Sequence, residues 1–83
     1  MSVEATTREF ILTELLYEEE NATLADDENL FTRRALDSIG LMRLVTFLEE
    51  TYEITLGDKD VAPENFETLQ RVGELVRRKR AGA

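Results

Sequence analysis

The sequence predicts a small all-α domain with three longer helices, one short helix and a long loop between the first two helices. Apolar residues recur at helical spacing in three segments, and residues with helix-capping side chains precede those segments. No strand is predicted, because the only alternation of apolar and polar residues, at residues 51–57, is too short to form a sheet. With 83 residues the chain is long enough for one domain, which we expect to span residues 1–83.

The first helix is predicted over residues 2–20. Its apolar residues recur at helical spacing among charged ones: Phe10, Ile11, Leu15 and Leu16. Two helix starts fit the sequence equally well. Either Ser2 is the N-cap, or Thr6 forms a capping box with Glu9, which lies three residues further on.

Residues 21–37 are rich in Asp, Asn and Thr and are predicted to form the long loop. The loop also contains four large apolar residues: Leu24, Leu30, Phe31 and Leu36. A long loop with such residues is usually pinned onto a core, so we expect these side chains to pack against the helices.

The second helix is predicted over residues 38–52 and has two distinct faces. A helical wheel places one apolar stripe on the core side: Leu41, Leu44, Val45, Leu48 and Tyr52. The opposite side carries a mixed set: Ile39, Met42, Thr46, Glu49, Glu50 and Glu53. Ile39 and Met42 have no packing partner within this helix. Either a partner protein binds them or another element covers them, and we favour the partner because exposed apolar groups mark interaction sites.

The last third of the chain predicts two helices. Pro63 suits the first turn of a short helix at residues 63–66. Thr68 is a plausible N-cap for a last helix that reaches residue 80. This helix has one apolar stripe: Leu69, Val72, Leu75 and Val76. The basic run at residues 77–80 lies where the helix dipole favours cations, and we prefer this explanation to a nucleic-acid or membrane patch.

Composition excludes several classes of function. The chain has neither cysteine nor histidine, which rules out disulfides, a Ser-His dyad within the chain and the usual zinc ligands. We therefore expect no enzyme activity, no catalytic residue and no metal site. An EF-hand starting at Asp58 is also excluded, because Pro63 and Leu69 stand where that loop needs Gly and Glu.

Charge and hydropathy narrow the range of partners and locations. The net charge is −8, and residues 1–70 hold 17 acidic and 5 basic side chains. Such an acidic surface repels nucleic acid and favours basic protein surfaces. No apolar run is long enough for a membrane span, and the first residues do not resemble a signal peptide. We expect a cytoplasmic monomer that binds neither nucleic acid nor membrane.

The stretch from Ala35 to Met42 contains the best candidates for residues with a chemical role. Asp37 and Ser38 are both good capping residues, and a capped helix start is the simplest explanation for them. The functional interpretation adds that free N–H groups at a helix N-terminus can accept an anion. Because the chain has no histidine base, Ser38 is not activated from within. It is better explained as a substrate that a separate enzyme modifies.

Several parts of the chain together resemble the acyl carrier protein family, including the related peptidyl carrier domains. These are the motif Leu36-Asp37-Ser38-Ile39-Gly40, the following helix with two acids at 49–50, and the PENF segment at 63–66. The resemblance implies a four-helix bundle of acyl-carrier type. It also implies a 4′-phosphopantetheine arm on Ser38, transferred from coenzyme A by a phosphopantetheinyl transferase that uses magnesium. Asp37 matches the acid that supports this modification.

The resemblance further implies that the second helix is the recognition helix. Its predicted partner-binding residues are Ile39, Met42, Arg43, Thr46, Glu49 and Glu50. The expected partners, besides the transferase, are acyltransferases, ketosynthases or adenylating enzymes with basic docking surfaces. Arg43 stands where many fatty-acid-type members carry an acid, which argues against a standard fatty-acid synthase partnership.

Three functions fit the sequence. The first is an acyl carrier in fatty-acid-like, polyketide or other secondary-metabolite synthesis, with acyl groups held as thioesters. The second is an aminoacyl or peptidyl carrier of a nonribosomal peptide pathway. The third belongs to another class: an unmodified acidic helical adaptor, in which Ile39 and Met42 bind a partner without any arm.

Overall fold

The computed structural model describes residues 2–81, and all regular secondary structure in that range is helical. The elements are α1 (Val3–Phe10), a π-helical segment that continues it (Ile11–Leu15), α2 (Ser38–Tyr52), a short 3₁₀ helix (Pro63–Phe66) and α3 (Leu69–Ala81). The prediction of a small all-α fold with three longer helices and one short helix is confirmed. The predicted domain bounds also include residues 1, 82 and 83, which lie outside the described residues.

The first helix begins at one of the two predicted positions but ends earlier than predicted. Of the two possible starts, Ser2 is the N-cap, since its Oγ accepts a hydrogen bond from the N–H of Ala5 at 3.0 Å. The helical segment ends at Leu15, so its predicted extension to residue 20 was wrong. Near the change from α to π geometry, the Thr13 hydroxyl donates to the Glu9 carbonyl at 2.8 Å. That carbonyl is the normal α-helical acceptor for the Thr13 N–H, so the side chain competes with the backbone.

One hydrophobic core joins the helices and the long loop. The largest fully buried apolar side chains come from every part of the fold: Ile11, Leu30, Leu44, Leu48, Phe66, Leu69, Val72, Leu75 and Val76. The predicted apolar stripe of α3 is therefore confirmed in full. The predicted stripe of α2 is confirmed at its centre, whereas Leu41 and Tyr52 at its ends are only partly buried.

The loop at residues 21–37 is pinned to the core, as its apolar residues predicted. Leu24, Leu30 and Leu36 are buried. The Leu30 N–H donates to the Glu67 carbonyl at 2.6 Å, and the Leu30 carbonyl accepts from the Leu36 N–H at 3.2 Å. The Asn29 side chain accepts two amide N–H bonds at 2.9 and 3.0 Å within the loop. These bonds fix the point at which the chain enters α2.

Ion pairs tie α3 to its neighbours. The Arg77 guanidinium donates to both carboxylate oxygens of Glu4, at 3.2 and 2.9 Å, and this hydrogen bonding lowers the pKa of Glu4. Lys79 lies 3.0 Å from Asp60 and likewise lowers the pKa of the Asp60 carboxyl. Arg80 lies over an aromatic ring of α2. Three of the four residues of the basic run thus have partners within the chain, which supports its structural explanation. Within residues 2–81, no helix combines the length and apolar character that crossing a bilayer requires.

Candidate functional site

At the start of α2, Asp37 and Ser38 have different roles, although the sequence made both of them candidates for the helix cap. Asp37 is the N-cap: its Oδ1 accepts a hydrogen bond from the Gly40 N–H at 2.6 Å, and its carbonyl accepts from the Leu41 N–H at 2.8 Å. Ser38 is the first residue of α2 and is exposed. The cap is therefore made by the carboxylate, and the neighbouring hydroxyl faces solvent.

Gly40 allows this cap to pack closely against the end of the first helical segment. It is buried, and a Cβ at this position would lie 3.1 Å from the Asp37 Oδ1 and 3.5 Å from a methyl carbon of Leu15. The first of these distances is tighter than ordinary van der Waals contact. A glycine is therefore favoured here because the backbone, the cap and Leu15 approach one another closely.

A groove runs along the outer side of α2, between this helix and α1, and we call it the α1–α2 groove. Its volume is about 620 Å³, and its lining residues are Phe10, Ser38, Ile39, Met42, Arg43, Thr46, Phe47 and Glu50. The rings of Phe10 and Phe47 stack at 4.3 Å between centroids, with an interplanar angle of 21°. The groove is within the usual size range of small-molecule sites, and Ser38 forms part of its wall.

Five of the six predicted partner-binding residues lie together in this groove: Ile39, Met42, Arg43, Thr46 and Glu50. The helical wheel predicted that Glu49 lies on the open face, and this prediction is wrong. Glu49 is half-buried, and its Oε2 accepts a hydrogen bond from the Leu56 N–H at 2.9 Å. The physical reason is local, since α2 ends at Tyr52 and the Glu49 carboxylate stabilises the turn that follows.

Ile39 and Met42 are open to solvent, with 74% and 55% of their surface exposed. Between residues 2 and 81, no element of the fold covers them, so the second of the two explanations offered by the sequence is wrong. Arg43 borders the same groove and donates to the Glu14 carbonyl at 3.2 Å. This bond connects α2 to the π-helical segment at the edge of the groove.

The sequence did not identify the two phenylalanines as groove residues. Phe10 had been grouped with the apolar positions of the first helix, and Phe47 had no assigned role. Both are only partly buried, and each packs at the margin of the core. A helical wheel places Phe47 on the flank between the core stripe and the open face, which is the signal that marks such a position.

The described part of the chain lacks a metal-binding cluster: no group of three or more His, Cys, Asp or Glu residues is placed to hold an ion. With no cysteine or histidine in the sequence, Ser38 also has no thiol or imidazole beside it. This arrangement presents a hydroxyl and an adjoining apolar surface to another molecule.

Residues 10–78 match the protein family described as the phosphopantetheine attachment site. The chain belongs to this family. The match covers the end of α1, the long loop, all of α2 and most of α3. No curated protein matches the chain.

Family membership establishes the general function. The protein is a phosphopantetheine carrier, and its domain is the site of a covalently attached 4′-phosphopantetheine. Domains of this family are non-catalytic carriers that interact with a phosphopantetheinyl transferase and with biosynthetic enzymes.

Proposed function

We propose that Ser38 is the attachment residue and that the protein is an acyl carrier. The observation that carries this proposal is the exposure of Ser38 at the first position of α2, beside a cap made by Asp37. Asp37 engages the Gly40 N–H, and the N–H groups of Ser38 and Ile39 have no α-helical partner because they lie in the first turn of α2. A phosphodiester on Ser38 would lie near these donors and near the positive end of the helix dipole.

The surroundings of Ser38 fit a bulky phosphate ester. The side chain is exposed, and it opens onto the α1–α2 groove rather than the packed core. When attached, the arm supplies a thiol that holds an acyl group as a thioester. The chain itself supplies the position of the hydroxyl. The base and the metal for its modification come from the transferase, and Asp37 offers a carboxylate next to the reacting oxygen.

The open face of α2 is proposed to dock the partner enzymes. Ile39, Met42 and Thr46 offer exposed surface close to Ser38, and Glu50 adds a negative charge at the far end of the groove. Acyltransferases or ketosynthases with basic surfaces would fit this combination, together with the net charge of −8. The Glu49 carboxylate already accepts a hydrogen bond from the Leu56 N–H. Glu50 is therefore the better candidate for a contact with a basic residue of the partner enzyme.

The groove favours acyl over aminoacyl cargo. Much of the exposed surface of the groove is apolar, and Phe10, Met42 and Phe47 contribute to it. Such a surface suits an acyl chain, and the only carboxylate among the residues that line the groove is that of Glu50 at its far end. We further propose a cytoplasmic, monomeric carrier domain spanning residues 1–83 that serves fatty-acid-like, polyketide or other secondary-metabolite synthesis.

The attachment residue is tested by intact mass after incubation with coenzyme A, magnesium and a broad-specificity phosphopantetheinyl transferase. The sequence contains two serines, Ser2 and Ser38, and each lies at the start of a helix. Wild type and Ser2→Ala should gain the mass of one phosphopantetheine group, whereas Ser38→Ala should gain nothing. A mass gain in Ser38→Ala would overturn the assignment. An unmodified wild type under these conditions would favour the adaptor function instead.

The cargo class is tested on the modified protein. We expect acyltransferases supplied with acyl-coenzyme A to load it, and adenylating enzymes supplied with amino acids and ATP to leave it unloaded. The added mass identifies the cargo in each case. Loading by the adenylating panel alone would show that the chain is an aminoacyl carrier.

A further inference from the structure

We propose that the α1–α2 groove is a resting site for an aromatic acyl group tethered through Ser38. This inference rests on the proposed attachment at Ser38, and it adds a cargo class and a binding site for that cargo. The site consists of the stacked pair Phe10 and Phe47, with Met42 and Thr46 beside it.

Geometry allows a tethered group to reach the phenylalanine pair. Ser38 and Phe47 lie nine residues apart on one uninterrupted helix, which corresponds to about 14 Å along its axis. A phosphopantetheine arm is flexible and extends further than this distance. It can therefore fold back and lay its terminal group on the rings. Because the cargo and the groove belong to one molecule, the effective concentration of cargo at the site is high.

The surface chemistry of the groove favours a flat apolar group. Phe10 and Phe47 form a stacked pair that is only partly buried, so part of this aromatic surface faces solvent. Another ring can stack on it or meet it edge to face, and the Met42 thioether adds a favourable sulfur–aromatic contact. Leu44 and Leu48, on the inner side of α2, are fully buried. The cargo therefore lies on the surface of the bundle, along the outer side of α2.

The other possible occupants fit less well. The arm itself carries two amides and a hydroxyl, whereas most of the exposed surface of the groove is apolar, even though four of its eight lining residues are polar: Ser38, Arg43, Thr46 and Glu50. A second copy of the chain would bring another net charge of −8 against the same face. A partner enzyme docks on this face only during an encounter, whereas the cargo stays tethered at the edge of the groove between encounters.

The experiment uses NMR of protein labelled with ¹³C at the methionine methyl groups. The chain has two methionines, Met1 and Met42, so the Met42 signal can be assigned by its loss in Met42→Leu. Four forms are compared: unmodified, carrying the bare arm, carrying acetyl, and carrying benzoyl. The last three are made by the transferase from coenzyme A, acetyl-coenzyme A and benzoyl-coenzyme A. We expect a ring-current shift of the Met42 methyl in the benzoyl form and none in the acetyl form.

Two matched variants test whether the groove itself is responsible. Thr46 and Thr51 are both exposed threonines of α2, but only Thr46 lines the groove. Thr46→Arg fills the groove and should abolish the benzoyl-dependent shift, whereas Thr51→Arg should retain it. Hydroxylamine should cleave the benzoyl thioester roughly threefold faster in Thr46→Arg than in Thr51→Arg, because shielding of the thioester is lost.

Each remaining outcome overturns the proposal. A shift that already appears with the bare arm would show that the arm occupies the groove. A shift that depends on protein concentration would show a second copy there. If mass spectrometry confirms benzoyl loading and Met42 does not move, the resting site is absent while attachment at Ser38 still stands. If loading fails in wild type, the proposed function fails first.

Discussion

The α1–α3 side of the molecule and the outer face of α2 differ in how far their side chains have partners within the fold. On the first side, Glu4 and Arg77 form a two-point ion pair, and Gly73 is buried so close to α1 that a Cβ would collide with the Glu4 carboxylate. On the second side, Ile39 and Met42 are mostly exposed beside an open groove.

This difference separates residues that stabilise the fold from residues that are free to bind other molecules. Covering Ile39 and Met42 would have required only apolar side chains on a neighbouring segment, yet the fold leaves them open. Contiguous exposed apolar surface marks interaction sites, and here it lies beside the proposed attachment residue, Ser38. Substitutions on the two sides should therefore have opposite profiles: large changes in stability on one, and large changes in function on the other.

The largest effect on stability is expected from Leu75→Ala in α3. Leu75 is fully buried, and its truncation leaves a cavity, so the free energy of unfolding should fall by about 2–5 kcal/mol. Urea denaturation followed by circular dichroism measures this. The matched control is Met42→Ala on the open face, which should change the free energy by less than about 0.5 kcal/mol. Equal losses in the two variants would contradict the division between the two sides.

Asp37 caps α2 and is also proposed to support the transferase, and two variants separate these roles. Asp37→Ala removes the cap of α2 and should lower the free energy of unfolding by about 1 kcal/mol. Asp37→Asn can keep the hydrogen bond to the Gly40 N–H while losing the charge, so stability should change little. If the carboxylate supports the transferase metal, both variants should be modified at least about tenfold more slowly. Normal modification of Asp37→Asn would limit Asp37 to capping.

Much of the fold could be predicted because its local signals agree with one another. Thr68 caps α3 through a hydrogen bond from the Arg71 N–H at 3.1 Å, and Pro63 begins the 3₁₀ helix, as predicted. The apolar periodicity of α3 marks its buried face without error because the same stripe meets the core along the whole helix. In these segments, propensity, capping and burial all favour the same structure.

The errors occur where tertiary contacts decide the outcome. The first helical segment changes to π-helical geometry at Ile11 and ends at Leu15, and residue periodicity reveals neither feature. Glu49 turns towards the Leu56 N–H because of how the chain folds after α2, and a helical wheel contains no such information. The groove was missed for the same reason: its floor is made by Phe10 and Phe47 from two different helices.

The Glu4–Arg77 pair makes stability on the α1–α3 side depend on pH. Hydrogen bonding from Arg77 lowers the pKa of Glu4 below its usual 4.5 in the folded protein. The stabilisation is therefore complete above pH 4.5 and is lost as the pH falls through the lower, folded-state pKa. Glu4→Gln should cost roughly 0.5 kcal/mol at pH 7 and progressively less below pH 4.5. Glu18→Gln, at an exposed position, is the control, and a loss in Glu4→Gln that does not vary with pH would contradict the assignment.

The smallest change in stability, with a clear change in function, is expected on the open face. Ile39 and Tyr17 are similarly exposed, at 74% and 71%, but only Ile39 is next to Ser38 and lines the α1–α2 groove. Ile39→Gln and Tyr17→Gln should both leave the free energy of unfolding within about 0.5 kcal/mol of wild type. In transferase kinetics, Ile39→Gln should lower kcat/KM by about tenfold, since a central apolar contact is lost, and Tyr17→Gln by less than about twofold. Tyr17 shares a neighbouring cavity with Asp37 and Ile39, so equal effects would show that the partner recognises exposed apolar surface near the start of α2 and not the α1–α2 groove in particular.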